Sequence, residues 1–308
     1  MKKSLIIGVI LLCMVLVFTL GCDLLAKPGS VLVGRGVTME FTEYPSEVYE
    51  DQGFGLEIVV SNYGDQEVDG FVCISDTTSQ TYMGIPSNEC QPTYLPPALI
   101  QEGSVTPSQL PLLFPSSSSG MYRYLNLPKE DGIQEIYTSI AATFSYKTAT
   151  IASTTICLEN FNVDEPSCEK NEVIKNIKQQ KMPIEVTEIE KVSYTSQDGT
   201  ASISLIVHIK KMEKGDIIDP LKLQNSKQTM SPTIGFSINL AETIFKCQPL
   251  ESGNKVKFMT GDETVVRCTG TKYLGDSEFI NDPLIILLDY GFQVRESIPI
   301  IIRKEVIL

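Results

Sequence analysis

The sequence predicts an all-β protein, with two antiparallel β-sandwich domains carried behind an N-terminal signal or anchor segment. Three observations predict it. Apolar and polar residues alternate with a period of two through most of the chain after residue 36, the pattern of half-buried strands. Clusters of Gly, Asn, Asp and Pro separate these runs at the spacing expected of a sandwich. Cys73, Cys90, Cys157, Cys168, Cys247 and Cys268 form an even set, as a disulfide-stabilised exported protein requires.

Residues 1–22 read as the signal or anchor. Lys2 and Lys3 precede an uncharged apolar run from Leu5 to Leu20, followed by Gly21 and Cys22. This is the order of an export signal. As a helix the run spans roughly 24 Å, short of the roughly 30 Å of a bilayer core. Thr19-Leu20-Gly21-Cys22 resembles the lipobox of secreted lipoproteins, and the resemblance implies lipidation of Cys22. Parity agrees: with Cys13 inside the apolar run and Cys22 modified, the remaining six cysteines can all pair. The alternative is an uncleaved anchor from Leu5 to about Ala26, with the lysines on the cytoplasmic side. Either way the chain is expected at the outer face of the cytoplasmic membrane or the cell surface. Loss of the two signal lysines takes the formal net charge from −13 to −15. An acidic exported body disfavours nucleic acid as a partner.

Residues 23–36 read as a short stalk, and the first sandwich is expected over 37–163. Val37, Met39 and Phe41 alternate with Thr38, Glu40 and Thr42; Leu56, Ile58 and Val60 repeat the pattern, and so does the run from Val68 to Ile74. Asn62-Tyr63-Gly64-Asp65 is the turn between the last two runs, with Gly64 available for positive φ. Residues 76–120 break the rhythm. Their seven prolines and the run Ser116 to Ser119 exclude a long helix or a central strand. They read as a long Pro-rich insertion that carries Tyr82, Tyr94 and Phe114, with Tyr122 just beyond. Ile140 to Tyr146 and Thr150 to Leu158 read as the hairpin that closes this domain.

Residues 164–181 read as a connector whose early acids and late lysines would suit a short helix. The second sandwich is expected over 182–308. Its cleanest strand holds Ala201, Ile203, Leu205, Val207 and Ile209, and another holds Ile234, Phe236, Ile238 and Leu240. Gly261-Asp262 marks a hairpin between Val256–Met259 and Val265–Cys268. Leu284 to Leu288 and Ile298 to Ile302, joined through Tyr290-Gly291, read as a closing hairpin that echoes the one in the first domain.

Gly55-Leu56-Glu57-Ile58-Val59-Val60-Ser61-Asn62-Tyr63-Gly64 with Val68 to Ser75 resembles the second and third strands of CARDB-type immunoglobulin-like domains, common on archaeal and bacterial surface proteins. The resemblance covers about residues 37–76. It implies immunoglobulin-like sandwiches and a role in adhesion, display or spacing.

Catalytic signatures are sparse. His208 is the single histidine. Strand alternation turns it away from Val207 and Ile209, so it reads as a solvent-facing residue. Ser167-Cys168-Glu169-Lys170 fits a serine–lysine pattern without that pattern's companions, and there is no G-x-S-x-G, H-E-x-x-H, P-loop or C-x-x-C. The cysteine spacings are too wide for a zinc site. Pairing of sequence neighbours, Cys73–Cys90, Cys157–Cys168 and Cys247–Cys268, keeps every bridge within one domain or its flank, with Cα separations of about 4.4–6.8 Å. Asp276, Glu278 and Asp282 supply the oxygen ligands calcium takes, though not in EF-hand order. They are kept as the calcium candidate in a reading that otherwise assigns no metal and no cofactor.

These observations lead to a non-enzymatic, membrane-anchored surface protein of structural or protein-interaction type. Its binding is assigned to residues 76–120, with Tyr82, Tyr94, Phe114 and Tyr122 as contacts, and its partners to other cell-surface proteins. The alternative is a solute-binding or envelope-assembly lipoprotein with a ligand site at the same insertion. A pocket lined by those aromatic residues would favour the alternative, and a solid core the first reading.

Overall fold

The computed structural model describes residues 36–86, 89–101, 104–116, 120–128, 135–161, 163, 167–223, 232–258 and 261–304. Cys22 and the rest of the N-terminal signal and stalk through residue 35 lie outside them. The described chain is all-β, and antiparallel except at one short strand. The fold is organised by two strands of 25 residues each, β9 (Glu135–Glu159) and β19 (Phe279–Arg303). They pair antiparallel along their entire lengths, from Phe279 opposite Glu159 to Arg303 opposite Glu135, without a register shift.

Each half of this ladder serves a different sandwich. Beside the first half of β9 lie β4 (Val68–Asp76) and β5 (Glu89–Leu95), with Gly70 opposite Tyr146 and Cys73 opposite Cys90. Beside the last residues of β19 runs β2 (Glu47–Tyr49), in parallel. A three-stranded sheet covers this region: β1 (Val37–Glu43), β3 (Leu56–Asn62) and β8 (Ser108–Phe114), with β3 in the middle. Beside the first half of β19 lie β15 (Thr233–Leu240) and β17 (Lys255–Lys257). A five-stranded sheet covers that region: β10 (Asn171–Ile174), β12 (Ile184–Thr195), β13 (Thr200–Lys211), β18 (Glu263–Tyr273) and β16 (Lys246–Gln248). Short strands β11 (Lys178–Gln179) and β14 (Asp216–Ile218) join the long pair near its middle.

The alternation in the long strands keeps one phase. In β9 the even-numbered Thr138, Ile140, Ala142, Phe144 and Tyr146 are buried, and so are Thr150, Ala152, Ile156 and Leu158. In β19 Leu284, Ile286, Leu288, Tyr290, Phe292, Ile298, Ile300 and Ile302 follow the same rule. Because side chains two apart share a face, the two smaller sheets cover the same face of one continuous sheet. Their buried residues belong to a single apolar cluster.

Several expectations are corrected here. Ile140 to Leu158 and Leu284 to Ile302 are not closing hairpins; each is the interior of one strand. Gly291 suggested a turn, but it is a close-approach glycine in a strand. A Cβ there would sit 2.8 Å from the carbonyl oxygen of Ile218, its partner in β14. The expected boundaries 37–163 and 182–308 are crossed by the ladder, since Gly291–Arg303 pairs with Glu135–Lys147 inside the first sandwich. The connector 164–181 holds strands β10 and β11 rather than a helix. Gly261-Asp262 does not join a hairpin, because β17 pairs with β15 while β18 pairs with β13 and β16. The turn after β3 is built by a side chain. Asn62 accepts from the Gly64 amide (2.9 Å) and donates to the carbonyls of Gln66 (2.7 Å) and Pro96 (2.9 Å), while Gly64 keeps an ordinary φ.

The three disulfides join the expected neighbours, Cys73–Cys90, Cys157–Cys168 and Cys247–Cys268. Their Cα separations are 4.0, 5.5 and 4.0 Å. The two at 4.0 Å fall below the expected range because each ties residues directly opposed on neighbouring strands.

Candidate binding surfaces

The insertion 76–120 is the site expected from sequence, and the structure spends most of it on the sandwich. It contains a single-turn helix, α1 (Ser79–Tyr82), then β5, a hairpin of β6 (Leu99–Gln101) and β7 (Ser104–Thr106), and finally β8. Its prolines sit where a sheet tolerates them. Pro92 lies in β5 and Pro111 in β8, and each of these strands is at the edge of its sheet.

The four aromatic contacts expected there divide. Phe114 is buried on the inner face of β8. Tyr122 is also buried; its hydroxyl donates to Glu89 Oε2 at 2.6 Å. Phe54 lies against it at 5.6 Å between ring centroids and stacks on Tyr124 at 5.3 Å. Burial, reinforced by acceptor carboxylates of Glu89 and Asp76, holds the Tyr122 and Tyr124 hydroxyls protonated far into the alkaline range. Tyr82 packs against the core from α1. Tyr94 alone remains exposed, at 56%, its hydroxyl on Glu67 Oε2 at 2.9 Å. These residues therefore do not converge on a pocket, and the Cys73–Cys90 bridge pins an edge strand rather than a loop.

An open groove of about 450 Å³ remains beside them, where β1, β3 and β8 reach the end of the first sandwich. Its floor is Leu56 and Phe114. Its walls carry Tyr44, Leu113 and Met121, which are 44%, 64% and 64% exposed, with Glu43 and Glu57 alongside. Sequence reading missed Tyr44 and Met121 because neither lies in a periodic run, and it did not single out Leu113 beside Phe114. Leu113 is the outward residue between buried Leu112 and Phe114. The alternation of β8 carries that signal.

A second groove, of about 480 Å³, lies on the outer face of the five-stranded sheet. Exposed Val192, Tyr194 and Ile244 border it, with Ser202, Ser204, Thr269 and Thr271 on its floor.

The calcium candidate is not assembled. Asp282 is ion-paired to Lys272, which also donates to the carbonyl of Ala241 at 2.9 Å, and Asp276 and Glu278 stand exposed in the preceding turn. His208 lies on the outward face of β13, between buried Val207 and Ile209, as alternation predicts, but acidic side chains of the neighbouring strands partly cover it. Its side chain is 23% exposed, with Nε2 2.9 Å from Glu190 Oε1 and Nδ1 3.6 Å from Glu263 Oε1.

Inside the second sandwich, Lys191 is fully buried. Its ammonium donates to the carbonyl of Cys157 (3.0 Å) and pairs with Glu172 (2.9 Å). This pair ties β12 and β10 to the long strand. At the middle of the ladder Tyr146 stacks on Phe144 (5.1 Å) and meets Phe292 edge-on (6.1 Å). Nearby, the Tyr290 hydroxyl lies 3.1 Å from Thr150 Oγ1 and accepts from the Ile184 amide at 3.2 Å.

No family model and no curated protein sequence matches this chain.

Proposed function

We propose that this chain is a non-enzymatic surface protein of structural or protein-interaction type, displayed on the outer face of the cytoplasmic membrane or cell by its N-terminal segment. The observation that carries this reading is the packing of residues 76–124. Of the aromatic residues assigned to a captured solute, Phe114 and Tyr122 are committed to a solid core and Tyr82 packs against it. That favours a rigid display body over a solute-binding pocket. The unbroken β9–β19 ladder supports the same reading. Its contour of about 80 Å, at about 3.3 Å per residue, spans both sandwiches, so among the described residues the two are joined through paired strands. Three disulfides suit an oxidising compartment.

Recognition is assigned to the groove of Tyr44, Leu113 and Met121. Exposed apolar side chains on a rigid floor are the usual centre of a protein contact. Glu43 and Glu57 suit a partner segment that combines apolar and basic residues. The test is capture of partners from native membranes by the wild-type chain and by Leu113→Asp and Met121→Asp. Both positions are exposed, so each variant is expected to keep the wild-type circular dichroism and melting temperature while recovery of a specific partner falls at least tenfold. Undiminished recovery by both variants would overturn the assignment of this groove.

A further inference from the structure

We infer that Glu188, Glu190 and His208 form a binding site for a divalent transition-metal ion, with zinc the best-matched ion, on the outer face of the second sandwich. Strand register builds the cluster. Glu188 in β12 lies directly opposite His208 in β13, past an irregularity between Val186 and Glu188. Glu190 follows two residues along and so shares the outward face. One ligand atom from each residue falls within 4.8 Å of the others. Zinc takes His nitrogen and carboxylate oxygen at roughly 2.0–2.2 Å, so an ion between three such atoms needs side-chain adjustment but no backbone movement. The site is partly sheltered, with side-chain exposures of 23% for His208, 29% for Glu188 and 40% for Glu190.

The surroundings of the imidazole suit a metal ligand. Nε2 points to Glu190 at 2.9 Å, while Nδ1 lies 3.6 Å from the carboxylate of Glu263 on the other neighbouring strand. Ligating histidines commonly have a carboxylate behind the distal nitrogen, and Glu263 stands where a small side-chain rotation would bring it within hydrogen-bond reach. Mixed nitrogen and oxygen donors favour zinc over calcium or magnesium, which take oxygen alone. Three protein ligands would leave a fourth position open to water.

The competing account is an ion-pair cluster that only ties β12 to β13. Lys175 distinguishes the two, because its ammonium lies 3.2 Å from Glu188 Oε2 and occupies the charge an ion would need. The experiment titrates zinc chloride into the full chain, freed of metal by chelator, and follows binding by calorimetry in parallel with calcium chloride. Saturable one-to-one zinc binding is expected, with none for calcium. His208→Gln and Glu190→Gln are expected to weaken it at least tenfold without shifting the melting temperature of the metal-free protein, and Lys175→Ala to tighten it several-fold. Absence of saturable zinc binding, or equal binding by His208→Gln, would overturn the site. An unchanged zinc affinity in Glu188→Gln would remove Glu188 from the ligand set and overturn the three-residue assignment.

Discussion

A fragment comprising residues 36–181, with both of its disulfides intact, is expected not to fold. It contains every strand of the sandwich expected from sequence, yet it lacks Gly291–Arg303. In the intact chain that half of β19 lies between β9 and β2 and supplies Phe292, Ile298, Ile300 and Ile302 to the first core. Without β19 all 25 residues of β9 expose one entire edge, because β4 and β11 both pair with the opposite edge. A long apolar edge is a template for aggregation rather than an independent fold. Circular dichroism and dispersion of amide resonances check this. A fragment with native strand content and a cooperative melt would show that the first sandwich stands alone.

Within the intact chain, Phe144→Ala is expected to cost about 3–5 kcal/mol, the range for emptying a buried aromatic site. Phe144 is wholly buried on the inner face of β9. Its ring stacks on Tyr146 and comes within 3.0 Å of where a Cβ on Gly70 would lie. A Cβ at Gly70 would also lie 2.3 Å from the carbonyl of Ser145, so β4 carries no side chain at this position that could swing in to fill the void. The outward residues of the same sheet supply the control. Ile151→Ala, at a position 51% exposed, is expected to change stability by less than about 0.5 kcal/mol. Urea denaturation measures both, and a cost near 1 kcal/mol at Phe144 would contradict the packing described.

How far the sequence could be read follows from where its signals are local. Strand identity was legible, because period-two alternation is written into each segment; β13 and β15 lie where Ala201 to Ile209 and Ile234 to Leu240 place them. The disulfides were legible because neighbours in sequence are neighbours in the sheets. The extent of the long strands was not. Lys147-Thr148 and Tyr290-Gly291 interrupt the apolar runs where the ladder passes from one small sheet to the other. A polar or glycine interruption at such a crossing has the composition of a turn. What distinguishes Gly291 is the nearby carbonyl of Ile218, a contact between residues 73 positions apart. The insertion was misread for a similar reason. Pro92 and Pro111 exclude a central strand but not an edge strand, and only the sheet order tells these apart.

The site was legible only in part. The sequence drew attention to Phe114 and Tyr122, whose apolar character reflects burial. The exposed Leu113 beside them required knowledge of which face of β8 looks inward. The cluster at His208 depends on the register of β12 against β13, and the irregularity between Val186 and Glu188 alters which residues stand opposite each other. Period-two reading of either strand alone does not place Glu188 across from His208.

One continuous ladder makes the two sandwiches a single body, and native-state amide hydrogen exchange along residues 135–159 and 279–303 reads that continuity residue by residue. Amides on both sides of the middle, from Ile140 to Ile156 and from Leu284 to Ile300, are expected to open with one common free energy, with no fast-exchanging gap at Lys147–Thr148 or Tyr290–Gly291. Two separate opening free energies divided by rapid exchange at those four residues would contradict it.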